Sequence, residues 1–254
     1  RYSASYHGYG IQDFLSIEPR FASDAAKAEQ DPTLVENELR QLVDEAHARG
    51  MYVIFDIVLH HVGDVFAYQN FGSVAPWSDA PYPIYWRDEN GQPRTDWTEA
   101  PSNPPANAAV WPKELLNNNF FLRQGNAFSP GGQLGGDFYS LKSTASDFQD
   151  DTGYPVRDIL IRAYQYIIAR YDIDGFRIDT LKYISPDFAR DFANAIREFA
   201  LSIGKKNFFT FGEVYDDEQE IAQFIGRNTQ VTEAGDIIGV DAALDFPLFY
   251  HLPG

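Results

Sequence analysis

Short apolar runs of strand length alternate along this chain with amphipathic stretches of helical length, and this alternation restricts the fold more than any other feature. Residues 34–49 read as a helix. Thr33 and Glu36 have the spacing of a capping box, Val35, Leu39, Leu42, Val43 and Ala46 mark one face, and Gly50 ends it. The run at 51–58 follows as a strand, too uniformly apolar to be half-exposed. Residues 156–171 repeat the helical pattern and 173–179 the strand pattern. A third helix starts from Ser185 as N-cap with Pro186 at its first position, carries the stripe Phe188, Phe192, Ile196, Phe199 and Ile203, and stops at Gly204. A strand at 208–214, a weaker helix at 217–226 and a strand at 242–249 complete the series. Strands alternating with helices predict an α/β fold with parallel strands.

The interval 62–150 breaks this rhythm. It is rich in Pro, Gly and Asn, with clusters at 100–107 and 129–137, and it holds Trp77, Trp86, Trp97 and Trp111. Disordered segments are poor in aromatics, so it reads as a folded, loop-rich subdomain inserted after the strand that ends near Val58. The chain divides accordingly into 1–61, 62–150 and 151–254. No repeat of 20–50 residues is evident.

Charge and composition narrow the partners. A net charge of −17 disfavours nucleic acid, whose phosphates it would repel, and is compatible with a neutral polyol. The longest apolar stretches, such as 51–59, are too short to span a bilayer, so no membrane is expected. With no cysteine there are no disulfides and no Cys-ligated metals, and both secreted and cytoplasmic settings stay open. Oligomeric state leaves no signature in the sequence.

Three of the expected parallel strands each carry a carboxylate at or near the C-terminal end: Asp56, Asp179 and Glu213. In a (β/α) barrel those ends open on one face, where the active site lies. Arg177 shares a strand face with Asp179, two residues on, and would hold it ionised as a nucleophile requires; a purely structural ion pair is the equal alternative. Glu213 follows Phe208, Phe209, Phe211 and Gly212, an apolar setting that suits a general acid. Such a pair of carboxyl groups is the equipment of glycoside hydrolysis. His60 and His61 raise a metal alternative, but adjacent residues on a strand point to opposite faces and could not share one site without a bend. Tyr6, His7 and Tyr9 around Gly8 suit sugar stacking and hydroxyl recognition, or plain packing. Asp137 could be a cation ligand offered by the inserted segment, or a turn residue.

DIVLHHV at 56–62, GFRIDTLKY at 175–183 and FGEVY at 211–215 occur in order and resemble three signature motifs of the α-amylase family of glycoside hydrolases. YHGYGIQDF at 6–14 is similar to the segment after that family's second strand. The resemblance covers nearly the whole chain. It implies a (β/α)8 TIM barrel, incomplete here, with a subdomain inserted after the third strand. It implies a retaining hydrolase of α-glucosidic bonds in starch-like or maltooligosaccharide substrates, with Asp179 as nucleophile and Glu213 as general acid and then base. Arg177 would orient Asp179. His61 and Tyr9 would contact the sugar beside the scissile bond, Lys182 the next sugar, and Asp56 would organise the cleft floor. The partner is then an oligo- or polysaccharide, and the chemistry requires no cofactor.

Three departures qualify the resemblance. His60 stands where the family usually has an Asn that binds a structural Ca²⁺, and His is a poor ligand for a hard cation. Tyr183, a further substrate contact, stands where amylases of the family often have His, which moves the expectation away from plain α-amylase specificity. The family's fourth motif is missing, as is the first strand, and Gly254 falls about where a sixth strand ends. A fragment of a longer protein is therefore expected. A transglycosylase of the same family and a non-catalytic carbohydrate-binding relative remain as alternatives. A barrel with open edges would expose core surface, so the isolated 254 residues are expected to be inactive or nearly so. An assay of this chain alone on soluble starch checks that, and clear degradation would overturn it.

Overall fold

The computed structural model describes residues 7–99, 106–225 and 239–252. In chain order the helices and strands are α1 (Ala25–Gln30), α2 (Thr33–Ala48), β1 (Ile54–Val58), β2 (His61–Val62), β3 (Phe66–Tyr68), β4 (Ile84–Trp86), β5 (Lys142–Ser143), α3 (Pro155–Tyr171), β6 (Gly175–Asp179), α4 (Pro186–Ser202), β7 (Phe209–Gly212), α5 (Glu218–Phe224), β8 (Ala242–Ala243) and α6 (Phe246–His251). The chain forms two compact units, one of residues 1–14, 58–160 and 179–189, the other of 15–57, 161–178 and 190–254. Tyr6, most of the 100–107 cluster and the end of the helix expected to reach 226 lie outside the described residues.

The second unit holds a four-stranded sheet in the order β1-β6-β7-β8, with β6–β7 and β7–β8 parallel. The register sets Gly175 opposite Phe209 and Ile178 opposite Gly212. Gly175 is required there, because a Cβ would come within 2.4 Å of the Phe209 carbonyl oxygen. Tyr164, Phe176, Phe192 and Phe208 form the aromatic core, with ring centroids 5.1–6.1 Å apart and mostly edge-to-face.

Aspartates just ahead of two strands tie each to its neighbour. Asp174 precedes β6 and accepts from the Val53 amide (2.8 Å), the His47 ring (2.8 Å) and Lys205 Nζ (3.2 Å). Asp241 precedes β8 and accepts from the Thr210 amide (2.8 Å) and hydroxyl (2.9 Å) and from Arg197 (3.1 Å). Helix α2 is fixed to the end of α3 by the Glu36–Arg170 ion pair and by Arg40, which donates to the Arg170 carbonyl.

The first unit contains the two short antiparallel pairs, β2–β5 and β3–β4. Its core is Phe66, Tyr68, Trp86 and Phe121, and the Trp86 indole N–H donates to Asn118 at 2.7 Å. The segment at 7–14 belongs to this unit. Gly63 donates to the Ile11 carbonyl (2.7 Å), Trp111 to Gln12 (2.7 Å) and Phe14 to Trp111 (3.0 Å), a backbone ladder that local sequence pattern does not encode.

Several local expectations need correction. Thr33 and Glu36 form no capping box. Pro32 is the N-cap residue, and Thr33 instead donates through both its amide and its hydroxyl to Asp31. Leu42 is exposed, and Val35 and Val43 are the residues that α2 buries. The run at 51–58 is a strand only from Ile54, and Met51, Tyr52 and Ile54 are exposed because β1 is the outer strand of the sheet order. Late in α4 the buried face passes through Ala193, Ile196 and Ala200, so Ile203 lies outside it. The strand expected at 242–249 lasts two residues. Asp245 then caps α6 by accepting from the Leu248 amide at 2.8 Å, with Pro247 in the helix's first turn.

Partial burial works against ionising Asp174, but the Val53 amide, His47 and Lys205 outweigh it and hold the carboxyl below its ordinary value of 3.8. A depressed folded pKa means that the stabilisation is complete above that ordinary value and is lost as pH falls through the lower folded one. Asp174→Asn is expected to cost about 1–3 kcal/mol at pH 7, with the gap from wild type closing at an acid pH below the depressed folded value. Urea midpoints at both pH values measure it.

Candidate active site

Within the second unit, three of the expected residues meet at the carboxyl ends of the strands. The Arg177 guanidinium lies between two acids. Nη1 donates to Asp56 Oδ1 at 3.0 Å and Oδ2 at 3.3 Å, and Nη2 donates to Glu213 Oε2 at 2.8 Å. Asp56 is on β1, Arg177 on β6, and Glu213 is the residue after β7. The β6–β7 register fixes Glu213, whose amide donates to the Ile178 carbonyl at 2.9 Å. The surroundings of Glu213 differ from the apolar setting expected: its side chain is 28 % exposed and paired with a guanidinium. Phe209 and Phe211, with tilted rings 5.6 Å apart, lie four and two residues back along the chain and by alternation share the strand face of Glu213.

Asp179 is the last residue of β6 and is buried. The chain turns directly after it, with Thr180 in the left-handed region (φ 52°) leading into the 3₁₀ turn Leu181–Tyr183. That turn presents the half-buried Lys182 and Tyr183.

The first unit gathers an imidazole–aromatic cluster. His60 and His61 do not point to opposite faces. Strand β1 ends at Val58 and the chain bends at 59–60, which places the two Nδ1 atoms 3.2 Å apart. Phe138 packs on both rings at 4.8 and 5.5 Å, and Tyr183 lies 5.4 Å from His60 and 4.7 Å from Phe138. Burial pushes His60 down to about 4. Burial, together with the neighbouring His60 and His7, pushes His61 down to about 3, against the Tyr9 carbonyl that favours a protonated ring. Both are therefore neutral near pH 7. His61 Nε2 is buried and has no hydrogen-bond partner. Tyr9 and His7 stack at 5.8 Å, and the Tyr9 amide donates to His7 Nδ1 at 3.0 Å.

Asp137 is buried among donors. Oδ2 accepts from the Tyr68 hydroxyl at 2.6 Å and faces Lys142 Nζ at 3.6 Å, while Oδ1 accepts from the Ser143 amide at 2.9 Å. Lys142 is fully buried. Its ammonium donates to the Ser73 carbonyl, lies 3.5 Å from Asp64, and sits over the rings of Tyr68 and Phe66 at 4.5 and 4.9 Å. Arg87 closes the network on Asp64 at 3.2 Å. Among the described residues no group of three His, Cys, Asp or Glu gathers that could hold a metal ion.

Sequence reasoning missed Phe138, Lys142 and Ser143. A lysine in a polar, glycine-rich stretch reads as solvent-exposed, and only its position between two acids of the same interval, Asp64 and Asp137, could have marked it.

Comparison with known proteins follows this geometry. The family described as alpha amylase, catalytic domain matches residues 2–235, and the chain belongs to that family. An alpha-amylase of Streptomyces lividans is 28 % identical over 262 residues, covering 96 % of this chain and 26 % of that protein. A cell wall alpha-1,3-glucan synthase of Schizosaccharomyces pombe is 26 % identical over 204 residues, covering 75 % of this chain and 9 % of that protein. The solved alpha-amylase of Geobacillus thermoleovorans, complexed with acarbose, superposes with a TM-score of 0.59 at 26 % identity, covering 97 % of this chain and 39 % of that one. The parallel sheet with its helices is thus part of a (β/α)8 barrel. The chain spans about a quarter of the length of the Streptomyces relative.

Removing the ammonium from the first unit would leave the buried Asp137 with neutral donors alone and take one of its cations from Asp64. Lys142→Met is expected to destabilise the protein by about 3–5 kcal/mol, the cost of breaking a buried ion pair from one side. Denaturant midpoints of wild type and variant measure it, and equal midpoints would contradict the network's role.

Proposed function

We propose that this chain is part of the catalytic domain of a retaining glycoside hydrolase that cleaves α-glucosidic bonds in starch-like or maltooligosaccharide substrates. The observation that carries the reading is Arg177 held between Asp56 and Glu213 at the ends of adjacent strands, on the strand that Asp179 closes. Membership of the α-amylase family supports it, as does the likeness to an enzyme solved with acarbose.

In this reading Asp179 attacks the anomeric carbon while Glu213 protonates the departing glycosidic oxygen. A covalent glycosyl-enzyme forms, and water activated by the Glu213 carboxylate then hydrolyses it with net retention. Arg177 fixes the approach of Glu213, and Asp56 anchors Arg177 from the opposite side. His61 and Tyr9 contact the sugar at the scissile bond, and Lys182 and Tyr183 extend contact along the chain of sugars. This mechanism needs no cofactor. A structural calcium at the family's usual position does not suit the residues here, because both His60 ring nitrogens and both Asp137 oxygens are engaged within the protein.

Transfer to a sugar acceptor is the second reading, favoured by the similarity to a glucan synthase. It shares the covalent intermediate and differs only in what attacks it. Chromatography of products from soluble starch and maltooligosaccharides, using the intact protein, separates the two: shorter products mean hydrolysis and longer ones transfer. Asp179→Asn and Glu213→Gln are each expected to lose activity by about 10²–10⁴-fold or more. Variants that stay active would overturn the two-carboxylate assignment.

A further inference from the structure

We infer that Phe128 and Tyr139, two exposed rings on the inserted segment, form an outlying platform on which a further pyranose of an α-glucan chain stacks. This deepens the proposed function and rests on its glucan substrate.

Ring contacts run outward from the imidazole cluster without a gap, all within the first unit. Phe138 lies 5.5 Å from His61 and 4.7 Å from Tyr183. Phe128 lies 5.4 Å from Phe138, and Tyr139 5.4 Å from Phe128. Exposure rises along the same path: Phe138 is half-buried, whereas Phe128 is 57 % and Tyr139 62 % exposed. The two outer rings are tilted by only 33° to one another, so their faces are more nearly parallel than crossed.

The backbone presents Tyr139 at a cost. Phe138 and Leu141 exchange both backbone hydrogen bonds, at 3.1 and 3.0 Å, which leaves Tyr139 and Ser140 as a two-residue turn. Tyr139 is its first residue, at φ 55°, in the left-handed region where such turns favour Gly or Asn. A bulky side chain is strained there, and strain of this kind gathers at ligand-binding positions. The ring gains no burial in return. A contact made only when a ligand is bound accounts for both the strain and the exposure.

Beneath the rings the chain is fixed. The Asp137 amide donates to the Gly125 carbonyl at 2.8 Å and the Ala127 amide to the Asp137 carbonyl at 2.9 Å. The Phe128 amide donates to Asn126 Oδ1 at 3.1 Å. Asn126 and Asp137 are buried. The platform therefore exists before the ligand arrives, which lowers the ordering cost of binding.

A pyranose suits it because the C–H face of the sugar is apolar and packs flat on an aromatic ring, while its rim of hydroxyls stays in water. A neutral ligand also agrees with the net charge of −17. Continuity with Tyr183 and His61 places the platform on the path of the glucan chain. A protein partner fits less well. Two aromatic side chains bury about 150–250 Å² each, well short of the roughly 800 Å² per partner that a stable interface needs.

Titration calorimetry with maltoheptaose tests this on the intact protein carrying Glu213→Gln, which leaves the sugar uncut. Tyr139→Gly removes the ring and relieves the turn. It is expected to raise Kd about 3–10-fold, the weight of one stacked ring, while Tm stays level or rises. Phe128→Ala should raise Kd in the same range, and Tyr139→Phe, which keeps the face, should leave it unchanged. A Kd indifferent to Tyr139→Gly overturns the platform, as does a lowered Tm, which would make the ring a packing residue. Self-association that Tyr139→Gly abolishes, with maltoheptaose binding unaltered, overturns it in favour of an interface between copies. If maltoheptaose binds through Tyr139 but wild type cleaves no α-glucan, the platform stands and the glycosidase reading falls. If starch is cleaved and Tyr139→Gly binds as before, the platform alone falls.

Discussion

Parallel pairing of β6 with β7 sets Ile178 opposite Gly212, and the next amide along, that of Glu213, closes onto the Ile178 carbonyl. Glu213 is thus located by backbone hydrogen bonds rather than by loop packing. Arg177, one residue back from Ile178, meets it with a guanidinium that Asp56 holds from the other side. A planar donor fork suits this task because its two ends can serve two carboxylates at once without rotating. The register in turn needs a bare Cα at position 175, where any side chain would strike the Phe209 carbonyl. The motif glycine and the motif carboxylates therefore express one geometric requirement.

The other unit is organised by the opposite means, a charge inside its core. Lys142 brings an ammonium into contact with Asp64, Asp137 and a backbone carbonyl, roofed by two aromatic faces that favour a cation. Burial pushes the Lys142 ammonium down and the Asp137 carboxyl up, while each opposes the other's shift. The aromatic residues of β3 and β4 give this segment a core of its own. Asp137 turns that rigidity toward the imidazole cluster by gripping the Ser143 amide.

Much of this was legible in the sequence. Apolar runs interrupted by single carboxylates located β1, β6 and β7, and Ser185, Gly204 and the Phe188–Phe192–Ile196 stripe gave α4 its bounds, because such signals depend only on local spacing. What failed depended on long-range partners. Arg177 could be assigned to a neighbour on its own strand, but the ion pairs it makes with Asp56 and Glu213 come from sequence positions 121 and 36 residues away. The two histidines defied strict alternation because the strand ends just before them. The backbone ladder joining residues 11–14 to Gly63 and Trp111 has no local signature. The octet at 242–249 looked like a strand by composition, yet Asp245 supplies a cap that favours helix.

The aspartates that precede β6 and β8 lie at the ends of their strands away from Glu213, and their partners are backbone amides and long basic side chains. This gives the sheet a division of labour. One rim is clamped by charge to the chain's own backbone, and the other carries chemistry in residues that the clamp does not touch. Such separation confers modularity: loops at the chemical rim can be exchanged or lengthened while the clamped rim keeps its alignment, so new specificities can be tried on this scaffold without renegotiating its architecture.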